Sequence, residues 1–413
     1  MRRISVGCCE AFGHIETKFD RYSISEETWK IMAGSIMAMA AFAVFLIIGI
    51  KAAHISGKNN DKPLQMVHIV MRHGARTPAS TYPNDPYKDD PLYPVGWGQL
   101  TNPGKLTLFK IGRYFRQRYG NFLGDRYSPD EFYTQSTDVD RTKASMQLVN
   151  AGLWPPKGDQ QWGPLHWQPI PIHSEPLEED SLLLVRRPCP KYHVEKSKVI
   201  QSEEVQKMYK QYEELFKNLT EITGQKTDDF EGVQDIYTTL LSEVGYNLTI
   251  PEWTKDYYPE KMYFPTIKSF VLNAYNDEMN RLRGGVLLKK LIEDWTAKSE
   301  GKPSKKAFLY GGHDGTIVNL LSALKVWDEQ VPNYAITILF ELRKDTHTNE
   351  FGVEMFLRNV TDAPPFKLTV PGCDHFCPLT KLVELTKNVI PENWEEECKI
   401  DDKDFVVPEL RGP

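Results

Sequence analysis

Leu64 to Met71 reads LQMVHIVM, a nearly continuous apolar run that stops abruptly at Arg72-His73-Gly74. A strand covered on both faces by helices looks like this, because neither face meets water and no polar alternation is needed. The run therefore predicts a buried strand of a parallel α/β sheet. Ligands of such sheets bind beyond the carboxyl ends of the strands, so its polar end is where chemistry is expected.

Two further segments share this design. Phe132 to Gln135 reads as a short strand, followed by Ser136-Thr137-Asp138 as a capping cluster and a helix to about Leu153, with Arg141 in its first turn. Ala307 to Tyr310 is a third short apolar strand, ending in Gly311-Gly312-His313-Asp314-Gly315-Thr316 and leading into a helix that runs to about Leu324. Asn102-Pro103-Gly104 opens another helix, with Asn102 as cap and Leu106, Phe109, Ile111 and Phe115 as its apolar stripe. Tyr334 to Leu342 and Phe351 to Leu357 alternate well and read as an antiparallel hairpin.

Between these halves, Pro155 to Pro190 is rich in Pro and Trp without periodicity, and Glu203 to Leu219 and Phe270 to Trp295 read as amphipathic helices. The expected organisation is a core of residues 64–154 and 301–398 interrupted by a helical insertion, 155–300, with a tail at 399–413. The 413 residues carry a formal net charge of −6. That balance gives no global basic footprint and argues against nucleic acid as a partner, so an anionic ligand requires a local cluster of cations.

Ile31 to Ile50 holds twenty residues without a charge, enough as a helix to match a hydrocarbon core of roughly 30 Å. It reads as a membrane signal anchor or a cleaved signal peptide behind a leader, 1–30, that is cytoplasmic or removed, and 51–63 reads as a tether. Met32, Met37 and Met39 are alternative starts. Asn218, Asn247 and Asn359 head glycosylation triplets downstream of the segment, and none lies upstream. Cys189, Cys373, Cys377 and Cys398 form an even downstream set that suits two disulfides in an oxidising compartment. The body is therefore expected in a lumen or outside the cell, membrane-anchored through 31–50 or secreted after cleavage. Cys373-Asp374-His375-Phe376-Cys377 reads there as a local disulfide rather than a metal-ligand pair, and the four cysteines allow three pairings.

The chemistry concentrates in three places. Arg72, Arg76 and Arg141 supply guanidinium forks that match phosphate oxygens in a bidentate way. His73, His313 and Asp314 add two imidazoles and one carboxyl at the ends of the same parallel strands. Three fixed cations around so few counter-charges call for an anion. His68, inside the first strand, reads as a satisfied core histidine.

These segments resemble the histidine acid phosphatase family of the histidine phosphatase (phosphoglycerate mutase-like) superfamily. Arg72, His73, Gly74, Arg76 and Pro78 match its RHG-x-R-x-P signature, His313-Asp314 its second signature, and Arg141 its third arginine. The likeness runs from about Leu64 to Cys398 and is similar to lysosomal and prostatic type acid phosphatases, most closely to the insect venom ones. It implies a doubly wound, mainly parallel α/β sheet with flanking helices and a helical cap insertion. It also implies that His73 is the nucleophile, that Arg72, Arg76, Arg141 and His313 hold the phosphoryl oxygens, and that Asp314 protonates the leaving oxygen. The family further suggests bridges Cys373–Cys377 and Cys189–Cys398, and a homodimer.

The expected activity is metal-independent and cofactor-free hydrolysis of small phosphate monoesters, with a broad substrate range. A member restricted to a lysophosphatidate, an inositol phosphate or a phospho-sugar is the alternative. An aspartic acid that must begin protonated works best below its ordinary pKa near 4, which predicts an acid optimum.

Overall fold

The computed structural model describes residues 61–359 and 363–408, all of which but Asp61 belong to the unit Lys62–Pro413. The apolar segment 31–50, the leader and most of the tether lie outside the described residues. Among the described residues no helix is long and apolar enough to cross a membrane.

The elements of the core are β1 (Leu64–Arg72), α1 (Asn102–Leu123), β2 (Phe132–Ser136) and α2 (Asp140–Leu153). A helical stretch follows: α3 (Pro190–Gln201), α4 (Glu203–Gln211), α5 (Glu213–Thr223), α6 (Phe230–Gly245), α7 (Glu260–Asn273) and α8 (Asp277–Leu282). The chain then returns through α9 (Gly284–Ser299), β3 (Ala307–Gly312), α10 (Asp314–Ala323), β4 (Thr337–Lys344), β5 (Phe351–Arg358), β6 (Phe366–Leu368), β7 (Cys377–Pro378) and α11 (Leu379–Thr386). The sheet order is β2-β3-β1-β4-β5-β6, with β7 also paired to β5. β2, β3 and β1 run parallel, and the expected hairpin, β4 with β5, continues the sheet antiparallel from β1. Arg72 lies in register with Gly312, and Ser136 with Gly311, so three strand ends carrying the predicted chemistry share one edge.

β1 is largely apolar because both of its faces are covered. Met66 and Val70 pack with Leu287, Leu288, Leu291 and Trp295 of α9 and with Ile317 and Leu321 of α10. Val67, Ile69 and Met71 pack on the other side with Leu108, Ile111 and Phe115 of α1 and Met146 and Val149 of α2. Each such buried side chain contributes about 1.5–3 kcal/mol. His68 sits fully buried in this strand, as expected of a core histidine. It stacks on Phe308 at 4.6 Å, accepts from Trp295 Nε1 through Nδ1 at 3.1 Å, and meets Asp294 through Nε2 at 3.1 Å.

Several local expectations shift. The cap of α1 is Thr101, whose hydroxyl accepts from Gly104 N at 3.1 Å, while Asn102 lies inside the helix. Thr101 N donates to Ala75 O at 3.0 Å, which holds Thr101 extended just where a cap is needed. The buried stripe is Leu108, Ile111, Phe115 and Tyr119, and Leu106 is exposed, because the sheet rather than the helix start sets the phase. Ser136-Thr137-Asp138 does not cap α2, which starts from Val139 with no side-chain cap. Phe270 to Trp295 is broken into three helices. Asn276 caps α8 by accepting from Met279 N at 2.8 Å, and α9 carries its apolar face, Leu287, Leu288, Leu291 and Trp295, to the sheet. Glu203 to Leu219 is likewise divided, at Tyr212.

α3 to α8 share their own apolar cluster, which includes Phe216, Leu219, Phe230, Val233, Leu240, Met262 and Leu282. Trp394 and the Cys189–Cys398 disulfide join the end of the chain to that cluster, and Cys373 is bonded to Cys377. Both bridges are those the family resemblance suggests. Asn247 is exposed after α6 and Asn218 partly exposed on α5. The Asn359 side chain instead meets Gln330 and Asn333, and the rest of its triplet lies outside the described residues.

Glu243 of α6 is fully buried beside Asp85. Burial, with Asp85 second, pushes its carboxyl up to about 8. A raised acid favours the protonated folded state, so its contribution is complete below the unfolded value near 4.5 and is lost as pH rises toward 8. Between pH 5 and 7.5 this group lowers folding stability by up to ~3 kcal/mol. Urea midpoints of wild type should fall across that range more steeply than those of Glu243→Gln. Equal slopes would remove Glu243 from the account.

Candidate active site

The edge formed by the ends of β1 and β3 gathers all six predicted residues, and four of them are almost fully buried: Arg72, His73, Arg141 and His313. Close approach of backbone makes this arrangement feasible. A Cβ on Gly104, in the first turn of α1, would lie 2.3 Å from Ala75 O, and one on Gly74 would lie 2.6 Å from Leu108 Cδ1. Only glycine allows α1 to lean directly on the loop that follows His73.

His73 is held at both nitrogens. Nδ1 lies 2.9 Å from Gly74 O, a carbonyl that can only accept, so Nδ1 carries the proton. Arg141 Nε donates to Nε2 at 3.2 Å, so Nε2 is the unprotonated nitrogen and its lone pair accepts from Arg141. Gly74 N donates to Ser145 Oγ at 3.1 Å, and Ser145 donates to Arg141 O at 2.6 Å, which ties the loop after His73 to α2. Burial first, and then Arg72, His313, Arg141 and Arg76, hold the His73 pKa well below 6.5. The imidazole is thus neutral in mild acid, where an ordinary histidine is charged.

His313 lies with its ring centre 5.3 Å from that of His73, and its Nε2 is 2.9 Å from Thr137 Oγ1. Burial and Arg141 lower it to about 3. Thr316 Oγ1 accepts from His313 N at 3.0 Å and donates to Leu183 O at 2.7 Å, which fixes the start of α10. Asp314 accepts from Arg72 Nη2 at 2.8 Å through one oxygen and from Gly315 N at 2.8 Å through the other. Gly315 has open space around it, so this turn makes no packing demand on a side chain there.

Asp314 departs from expectation. Burial raises its carboxyl, but Arg72 above all, with His313, the Gly315 N–H and Arg76, outweighs burial and holds it below the usual 3.8. In the free site Asp314 is the ionised partner of Arg72, not a protonated acid in waiting.

Arg72 also donates to Pro332 O and lies over the Tyr334 ring, 4.6 Å from its centre. Arg76 donates to Thr77 O at 2.9 Å and to Ser242 Oγ at 3.0 Å. The Nε atoms of Arg72 and Arg76 are buried with no partner among the described residues. Arg141 is lowered to about 10, by burial first and then by Arg76. Three guanidinium cations against one carboxylate leave a net charge near +2, with buried donors that protein does not satisfy. An oxyanion of charge −1 to −2 supplies both needs.

Sequence reasoning missed Thr137, Ser145, Ser242, Pro332 and Tyr334. Thr137 stood in the segment read as a cap, and Tyr334 in the segment read as the start of a strand. Tyr334 in fact precedes β4, in a loop whose Ala335 N donates to His73 O at 3.0 Å. Among the described residues no cluster of His, Cys, Asp or Glu is arranged to hold a metal ion.

The sequence profile of the histidine phosphatase superfamily (branch 2) matches residues 63–358. The chain is 39% identical over 343 residues to prostatic acid phosphatase of Rattus norvegicus, covering 82% of this chain and 89% of that one. It is 35% identical over 377 residues to lysosomal acid phosphatase of Homo sapiens, covering 89% and 88%. The apo form of Hafnia alvei phytase shares the fold, with a TM-score of 0.62 at 17% identity over 82% of this chain and 99% of that one. With the profile spanning most of the chain and these relatives aligned along nearly their whole lengths, this chain belongs to the histidine phosphatase superfamily, branch 2.

Proposed function

We propose that this chain, an acid phosphatase, hydrolyses phosphate monoesters through a covalent phosphohistidine on His73. The observation that carries the reading is the setting of His73: Nδ1 faces Gly74 O, Nε2 is the acceptor nitrogen, met by Arg141 Nε, and burial with the surrounding cations lowers its pKa well below 6.5. In the first step Nε2 attacks phosphorus, the bond to the ester oxygen breaks, and Asp314 gives that oxygen a proton. In the second, water attacks the phosphohistidine, its proton passes to Asp314, and inorganic phosphate leaves. Arg72, Arg76, Arg141 and His313 hold the equatorial oxygens and spread the charge of a loose transition state.

Asp314 acquires its proton on binding. A phosphoryl group seated on Arg72 cancels the cation that most depresses Asp314, so the burial of that carboxyl then dominates and its pKa rises. An acid optimum follows from this coupling, since the bound carboxyl must be protonated before chemistry. The scheme needs no metal. The two disulfides and the exposed Asn247 support a body that works in an oxidising lumen or outside the cell, in keeping with lysosomal and prostatic relatives.

The test is product partitioning with methanol as a competing acceptor, combined with an alkaline quench and peptide mapping. A common intermediate gives one ratio of methyl phosphate to inorganic phosphate for every leaving group, with the quenched phosphoryl group on His73. A ratio that changes with the leaving group, and no label on His73, means direct attack by water.

A further inference from the structure

Arg76 reaches out of the sheet edge into the helical stretch. Its partner there, Ser242, is fully buried on α6 and donates its proton to Thr238 O one turn earlier, at 2.7 Å. A hydroxyl has one proton and two lone pairs. With the proton committed, the lone pairs accept Arg76 Nη1 at 3.0 Å and the Tyr334 hydroxyl at 3.0 Å, so Tyr334 is the donor in that bond. The ring of Tyr334 in turn lies under Arg72 and 5.8 Å from the His73 ring. One connected path therefore runs from the nucleophile's side wall through Tyr334 and Ser242 to Arg76.

The nature of the anchor matters. Arg72 is held by a carboxylate, which offsets part of its charge until a ligand arrives. Arg76 is held by neutral oxygens, Thr77 O and Ser242 Oγ, and keeps its full charge and a buried, unpartnered Nε.

We propose that Ser242 and Tyr334 are positioning residues that orient Arg76 toward the phosphoryl group and so set phosphate affinity from the helical stretch. This rests on the reading of Arg76 as a phosphoryl ligand. Removing the Ser242 hydroxyl leaves Arg76 Nη1 only Thr77 O, and removing the Tyr334 hydroxyl loosens Ser242 Oγ; either loss lets the guanidinium drift from its aim and weakens a charged hydrogen bond to the ligand by about tenfold. The effect belongs mainly to binding, since Arg76 contacts ground state and transition state alike.

The experiment measures competitive inhibition by inorganic phosphate, with KM and kcat for an aryl phosphate at pH 5, in wild type, Tyr334→Phe, Ser242→Ala, the double variant, and Ser242→Ala made in Arg76→Lys. Tyr334→Phe keeps the ring and tests the chain with the least risk to folding. Each single variant should raise Ki and KM about tenfold with a much smaller change in kcat, and the double variant should resemble the singles. In the Arg76→Lys background, Ser242→Ala should change Ki less than twofold. Unchanged Ki in both single variants, additive losses, or the same loss in the Arg76→Lys background overturns the positioning role while leaving the phosphatase reading intact. A wild type that phosphate does not inhibit overturns the phosphoryl-binding reading itself.

Discussion

Replacing His73 by Ala should lower kcat for an aryl phosphate at pH 5 by at least about a thousandfold, because the covalent step proposed above loses its nucleophile. The fold should survive, since the ring packs mainly against other site residues and α1 rests on the Gly74–Ala75 backbone. A residue needed for charge alone would show a smaller loss, because the three arginines stay in place. Wild-type turnover also has a pH signature. With His73 held well below 6.5 by burial first and then by Arg72, its protonation should cost less rate as pH falls from 6.5 to 5 than that of an ordinary histidine. Phosphate release followed with a chelator present reads both effects. Undiminished turnover by His73→Ala sinks the assignment, and a wild-type rate that drops tenfold over that interval means His73 titrates like an ordinary histidine.

Replacing Asp314 by Asn separates good leaving groups from poor ones. Asparagine keeps the shape and can still accept from Gly315 N, but it has no proton to give the departing oxygen. General acid catalysis of this kind contributes typically 10²–10⁴-fold, and the need grows with the basicity of the leaving group. We expect a loss on the order of a thousandfold for an alkyl phosphate and about tenfold for a nitrophenyl phosphate, whose leaving oxygen is stable without a proton. The substitution also deprives Arg72 of its ionised partner, so inorganic phosphate should bind the variant at least as tightly as wild type. The same loss for both substrates would assign Asp314 to holding Arg72 rather than to proton transfer.

These two residues show how unevenly the site can be read from sequence. His73 and Asp314 each follow a short apolar strand, and a buried strand announces itself by composition alone. Their placement at one sheet edge follows from parallel pairing, which is why the six chemical residues were legible together. The cap of α1, the stripe on that helix and the split of Phe270–Trp295 into three helices were not. Several residue types satisfy a cap or a stripe equally well, and packing against the sheet selects among them.

The sequence by itself determined the parallel strands, the family and the six residues that meet at one sheet edge, because each depends on a contiguous run of a few residues. Only the tertiary structure decided that Thr137 serves His313 across 176 positions, that Ser242 anchors Arg76 across 166, and that Tyr334 joins Ser242 across 92. Only it decided that Asp314 rests ionised against Arg72. Such contacts and charge states are sums over neighbours that the chain brings together in space, and distance along the sequence carries no trace of them.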